Sequence, residues 1–513
     1  MTSVRKWRPP SPSTGPSAIE ESLKDLEARL TRLDHDWFLS EWALHTGGSR
    51  AGSLGTRLAR AALLSHPELL LWCRESLPHA ASARVRRRLE LLEQRVLESQ
   101  LADHPPIARL EERISRKVLG FRPRWKGRRV SQAEIWDLAS KEEDPGLRKE
   151  GYYANEPLYA AVEYEVRQLL RARNDRSREL GFRDFPEARL SLDGLSIGAL
   201  RELMRPFAAL ARPLARAVKD RSASREWYPW EVLFTRWREG DRTRKGFSGE
   251  DCHPAVRHGL RAWGFRVADL SFAFRRCDTP TAGMAVIGDA PRDVGVIANP
   301  RDGLVYYSVL FHEMGHGIHA RSVRGSSHLL RGGPTIGSPG FSEALAGLFE
   351  FLTMDERWLR TRPGVTRADA ARIRRSSYEG LAIRMAELVG EIQTELKLYA
   401  NPEADVLAER SQFLRHTFGY DDHPPVSWVD PYHLRPGFLR QSYLWGTCFD
   451  EQVLAAAVRE VGGNLWPNRR LGPWLKRTWF RPGQRDDWVE KTRRVTGKPL
   501  GPEAFVRAVR QAT

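Results

Sequence analysis

Five residues carry the clearest chemistry in this chain: His312, Glu313, Met314, Gly315 and His316, inside the string FHEMGHGIH from Phe311 to His319. Histidines at i and i+4 leave one face of a helix a turn apart, so two imidazoles can reach one metal ion. The glutamate beside the first histidine is then placed to handle a water on that metal. The pattern predicts a zinc hydrolase with Glu313 as general base, and most directly a peptidase.

A catalytic zinc site wants three protein ligands and an open position. The histidine-rich continuation with a glycine and a third histidine is absent, because position 319 is His and position 322 is Ser. From Gly317 to Ser342 there is no Asp or Glu; the first carboxylate is Glu343, in PGFSEALAGLFEFL (Pro339–Leu352). A second helix starting there would present Glu343 in its first turn, which is the gluzincin arrangement. Glu350, seven residues on, shares its face and is the candidate to orient a ligand histidine. His319 and His328 are alternative third ligands. Across the substrate a neutral donor should face the oxyanion, and DPYHLRPGFLRQSYLW (Asp430–Trp445) offers Tyr432, His433 and Tyr443.

The elements that must hold these groups read as mostly helical. Apolar residues recur at helical spacing over Ile19–Ala43, Val85–Leu101 and Leu158–Leu180. A helix from Leu304 through Ser322, with Asp302 as N-cap and Leu304, Tyr307, Leu310, Phe311, Met314 and Ile318 facing the core, would bury the metal motif. The one convincing β signal, Met284–Ile287 and Val294–Ala298 around GDAPRD, predicts a hairpin or two separate strands just before it. The glycine-rich stretch Arg331–Gly340 between the two metal helices reads as a connector able to flex. The expected organisation is a disordered tail over 1–18, an N-terminal helical region over 19–190 and a catalytic region over 191–513.

Bulk composition sets the remaining bounds. The 513 residues are 41% hydrophobic and 29% charged, as in an ordinary globular protein. No apolar run is long enough to span a bilayer, and the N-terminus lacks the apolar core of a secretory signal. Four scattered cysteines, Cys73, Cys252, Cys277 and Cys448, form no CxxC pair, which fits a reduced, cytoplasmic setting. Lys+Arg 82 against Asp+Glu 65 gives +17. Its clusters, such as Arg84–Arg88 and Arg122–Arg129, are short and accompany no nucleic-acid motif, so solvated faces are expected rather than a nucleic-acid partner.

With these residues in view, the chain resembles the thimet oligopeptidase / oligoendopeptidase F family of zinc metallopeptidases. FHEMGHGIH and PGFSEALAGLFEFL resemble its two metal helices; RNDRSRELGF (Arg173–Phe182) and TGKPLGPEAFVRAV (Thr496–Val509) resemble two further family segments. The resemblance covers about residue 170 to the end. It implies a two-lobed, helical, zincin-like body with a deep central channel, one zinc per chain held by His312, His316 and Glu343, and short unstructured peptides as substrates. It also implies a small sheet beside the motif helix whose edge pairs with substrate backbone. The chain departs from the family near its C-terminus. Phe438 stands where a first tyrosine is usual and Arg440 or Gln441 where a second is, while Tyr443 keeps its place before Leu-Trp. PGFSEALAG also resembles the angiotensin-converting enzyme group, which implies dipeptidyl release as an alternative. A catalytically silent peptide-binding scaffold is the reading from a different class.

Overall fold

The computed structural model describes residues 15–47, 53–222, 224, 226–241, 246–277, 282–333, 339–424, 427–429 and 437–513. Its secondary structure is 70% helical. Long amphipathic helices supply most of it, because their apolar stripes bury against one another. The periodic segments form the helices Pro16–Thr46, Ala83–Ala102 and Glu156–Glu179. The first of these starts inside the predicted tail, since Pro16 stands at an initial helical position where its missing N–H costs nothing. One cluster of buried apolar side chains runs from Ile19 to Val509.

Two small sheets interrupt the helices. Arg124–Trp125 (β1) and Arg128–Arg129 (β2) form a two-residue hairpin turned by Lys126 and Gly127, both at positive φ. The second sheet has three strands in the order β3-β5-β4: Ala273–Arg276 (β3), Gly283–Ile287 (β4) and Val294–Ala298 (β5). The predicted hairpin is β4–β5, antiparallel with Gly283 opposite Ala298. Strand β3, which the sequence pattern did not show, runs parallel to β5. Its AFRR sequence is short and largely exposed, so it carries no apolar alternation. The arrangement leaves β4 on a sheet edge.

The motif helix spans Leu304–Ser322, as its periodicity predicts. Its start differs from expectation. Gly303, at φ 125, is the N-cap, and Asp302 instead accepts the Gly249 N–H at 2.9 Å. The following helix, Pro339–Glu350, packs directly on it. Gly315 permits that approach, because a Cβ there would lie 2.6 Å from Phe349 and 3.1 Å from the Ala346 backbone. A third helix, Arg440–Val461, covers the other side of Pro339–Glu350.

Some members of the basic clusters are tied into the fold, while Arg86, Arg124, Arg128 and Arg129 are exposed. Arg88 forms a buried bidentate pair with Glu27, Arg87 donates to the Gln484 carbonyl, and Lys126 pairs with Glu142. Segments that resembled family signatures prove to be joints. Asn174 donates to the Tyr399 carbonyl at 2.7 Å and accepts from the Phe185 N–H at 3.1 Å. Gln452 ties down the C-terminal segment through Thr496, Lys498 and Pro499. All four cysteines are free thiols. No described helix is long and apolar enough to cross a membrane.

Glu451, on the Arg440–Val461 helix, gives a stability prediction. Burial raises its pKa from 4.5 to about 7, against the hydrogen bond donated by Tyr378 at 2.7 Å. The folded state therefore binds this proton more tightly than the unfolded state. Stability is fullest below pH 4.5 and falls as pH rises through about 7, by about 3 kcal/mol at 1.4 kcal/mol per unit. Glu451→Gln keeps an acceptor for Tyr378 and removes the charge. Thermal unfolding between pH 5 and 8 should then show a smaller decline than wild type; equal declines would contradict the assignment.

Candidate metal centre

The i, i+4 spacing on the motif helix sets His312 and His316 edge to face, with ring centroids 4.8 Å apart. Their Nε2 atoms lie 3.1 Å from each other. From the facing helix, Glu343 places Oε2 3.2 Å from His312 Nε2 and Oε1 3.7 Å from His316 Nε2. Three ligands at a zinc ion's usual 2.0–2.1 Å in tetrahedral geometry stand about 3.3 Å apart. The donor set therefore fits such an ion, and among the described residues it is the one cluster of three or more such groups close enough to share a metal.

Behind the donors, a supporting layer fixes their orientation. Glu350 Oε1 accepts from His312 Nδ1 at 2.7 Å, which leaves Nε2 free to ligate. Glu350 is itself held by Ser308, whose hydroxyl donates to Oε2 at 2.9 Å. Ser342 Oγ lies 3.3 Å from His316 Nδ1 and orients the second ring. Ser308 sits one turn before His312, and Ser342 directly precedes Glu343. Helical spacing from the motif could have flagged Ser308. Ser342 becomes visible only once the two helices are packed.

The electrostatics match a cation site. Burial opposes charge on Glu343, yet its hydrogen bond to His312 and the nearby His316 bring its pKa down to about 2. His316 is lowered to about 4 by burial, so it is neutral with a lone pair available. Burial also disfavours charge on His312, but hydrogen bonds to Glu343 and Glu350 outweigh it and hold a proton on that ring. A metal ion would take that proton's place. Glu313 is not among the clustered donors. Its carboxyl is raised to about 7, first by burial and then by Glu343, while His312 and the Ala285 N–H act the other way. Edge strand β4 passes close beside it: a Cβ on Gly283 would sit 3.0 Å from Glu313 Cγ.

The remaining candidates separate clearly. His319 is buried, lowered to about 3 by that burial, and its ring lies 5.2 Å from that of Phe480, which makes it a core residue. His328 is buried between Asp34 and Asp289, away from the metal group. Tyr443 is half-exposed on the Arg440–Val461 helix; burial raises its phenol, and the charges it senses are Glu343 and then Arg384. Its neighbours do not share that position. Phe438 is buried against Tyr399, Arg440 pairs with Glu391 at 2.6 Å, and Gln441 accepts from Trp445 at 2.8 Å. Tyr432 and His433 lie outside the described residues, as does half of the predicted flexible connector, at 334–338.

Comparison with known proteins places the fold. No family model matches the sequence, and no curated protein matches it. Solved structures do. An M32 carboxypeptidase from Deinococcus radiodurans R1 superposes with a TM-score of 0.67 at 17% identity, covering 96% of this chain and 98% of that one. Metallocarboxypeptidase 1 of Trypanosoma cruzi gives 0.66 at 14% identity, over 96% and 99%. A Pyrococcus furiosus carboxypeptidase, described as apo-Mg, gives 0.66 at 14%, over 96% and 98%. Across nearly its whole length, this chain has the fold of these carboxypeptidases.

Proposed function

We propose that this protein is a zinc-dependent metallopeptidase that shortens small peptides from the carboxyl end. The observation that carries the metallopeptidase reading is the cluster of His312, His316 and Glu343 with donor atoms at tetrahedral spacing and Glu313 beside it. These three residues would hold one zinc per chain, and a bound zinc would supply Lewis acidity and an acidified water. Glu313 is the general base. As a carboxylate it takes a proton from the attacking water and returns it to the leaving amine. Its raised pKa suits both halves of that task. The Ala285 N–H holds the carboxylate in place. Tyr443 is our candidate donor to the developing oxyanion, neutral in the resting site and near enough to Glu343 to sense its charge.

Two observations favour carboxyl-end cleavage. The structural neighbours are carboxypeptidases matched over almost their full length. A fixed cation also stands near Tyr443. Arg384 is electrostatically coupled to Tyr443, which in turn senses Glu343, and it is held by Glu387 at 3.2 Å and Glu391 at 3.0 Å. A terminal carboxylate could pair with this guanidinium in competition with those two glutamates. Sequence periodicity gave no sign of it, because Arg384 reads as one more polar residue on a long helix. Arg384→Met should raise KM about 10–100-fold for peptides with a free carboxylate and leave amidated analogues unaffected. Equal effects on both would remove Arg384 from substrate recognition. The second reading is an oligopeptidase that cuts internally, supported by FHEMGHGIH and PGFSEALAGLFEFL.

A further inference from the structure

A buried histidine that the metal centre does not use joins the N-terminal helix to the sheet. His328 is 2% exposed, and both of its ring nitrogens face carboxylates. Nδ1 lies 3.0 Å from Asp289 Oδ1, and Nε2 lies 2.9 Å from Asp34 Oδ2. Ionised carboxylates only accept, so the protonated ring nitrogen donates to the aspartate it faces. Both acids are held ionised despite burial: Asp34 by His328, Arg60 and Arg95, and Asp289 by His328, Arg331 and Arg292. The result is a histidine ring clamped between two buried carboxylates.

The two ends of this bridge lie in different parts of the fold. Asp34 belongs to the helix Pro16–Thr46. Asp289 belongs to the turn 288–293 that joins β4 to β5. The turn is fastened from other directions as well. Arg331 donates to Asp289 at 2.6 Å and to the Ala290 carbonyl at 2.7 Å, and Arg321 of the motif helix donates to the Pro291 carbonyl at 2.9 Å. The N-terminal helix touches the end of β4 directly: a Cβ on Gly288 would fall 2.6 Å from both the Asp34 carbonyl and Phe38. From that anchored end, β4 runs along the sheet edge to Ala285, whose N–H reaches Glu313, and to Gly283, which lies against the same side chain.

We propose that His328 is a positioning residue for the active site: its bridge between Asp34 and Asp289 makes the N-terminal helix the anchor of edge strand β4, and so sets where peptide backbone is received. The inference rests on the peptidase reading, with β4 as the strand that pairs with substrate. Removing one partner of a buried charged network leaves the others uncompensated, so the bridge either holds or the strand end shifts. A shift there changes how substrate is gripped before it changes the metal or the base.

The test is His328→Gln in the full-length, zinc-loaded protein. A neutral amide donates to one aspartate but turns its oxygen toward the other. The expected result is unchanged zinc per chain, KM raised about tenfold for a short peptide and kcat within about threefold. Hydrogen exchange should quicken over 283–287 and stay unchanged over 343–350. The double variant Asp34→Asn with His328→Gln should restore both readouts, because asparagine then donates to the glutamine oxygen. If His328→Gln fails to fold, Asp34→Asn keeps the side-chain size and an acceptor for Arg60, weakens the same bridge and carries the same expectations. Wild-type KM and wild-type exchange in the folded single variant would overturn the proposal, as would a defect that the double variant does not repair. If wild type cleaves no peptide, the peptidase reading has failed, and the exchange comparison alone decides whether the bridge anchors β4.

Discussion

Glu313→Gln should keep one zinc per chain and lower kcat by about 10²–10⁴-fold. The amide has the size of the acid and can still meet the Ala285 N–H through its oxygen. It cannot accept the proton of the attacking water. Because Glu313 is not one of the three clustered donors, metal content should not change. The sign of the pH dependence follows from the same group. Burial lifts its pKa to about 7, and only the carboxylate is active, so wild-type kcat/KM falls as pH drops through that value. A divalent cation beside Glu313 pulls the limb to lower pH, because the charge favours the ionised form. The variant should lose this limb along with the rate. Metal analysis and steady-state kinetics on one preparation check both statements, and turnover close to wild type would remove Glu313 as the base.

Glu343→Ala should weaken zinc binding by more than about 100-fold, beyond the 10–100-fold usual for a supporting residue. Glu343 is the only acidic member of the cluster and the only one from outside the motif helix. Without it, two neutral imidazoles remain and no ligand offsets the cation's charge. Glu350→Gln supplies the internal comparison. It weakens the hold on the His312 ring and on Ser308 but leaves three ligands, so it should fall within the smaller range. Chelator competition measures both. Zinc affinity in Glu343→Ala equal to wild type would show that the third ligand lies elsewhere.

The metal centre was legible because each half is local. An i, i+4 pair on one helix and a carboxylate in the first turn of the next need only helical geometry and one packing contact, the one Gly315 makes possible. Glu350 was legible for the same reason, seven residues along the face of Glu343. What depends on chain segments far apart in sequence was not. Ala285 meets Glu313 because β4 is an edge, and β4 is an edge because β3, whose AFRR sequence hides its strand character, pairs with β5 instead. The N-cap reading of Asp302 failed because a distant N–H, that of Gly249, competes for the same carboxylate. His328 looked like a ligand by residue type, yet its partners lie in the N-terminal helix and the hairpin turn. Arg384 and Tyr443 come close enough to interact only because the helices Arg367–Ala400 and Arg440–Val461 pack together.

The most direct test of the central claim follows the products of a mixed pool of short peptides, incubated with zinc-loaded wild-type protein, by mass spectrometry over time. The account predicts fragments shortened from the carboxyl end, formed only from peptides with a free terminal carboxylate and absent with Glu313→Gln. Internal cuts that ignore the terminus would replace carboxyl-end trimming with the oligopeptidase reading. A pool that remains intact in the presence of protein carrying one zinc per chain would contradict the peptidase assignment itself and leave a metal-holding, peptide-binding scaffold.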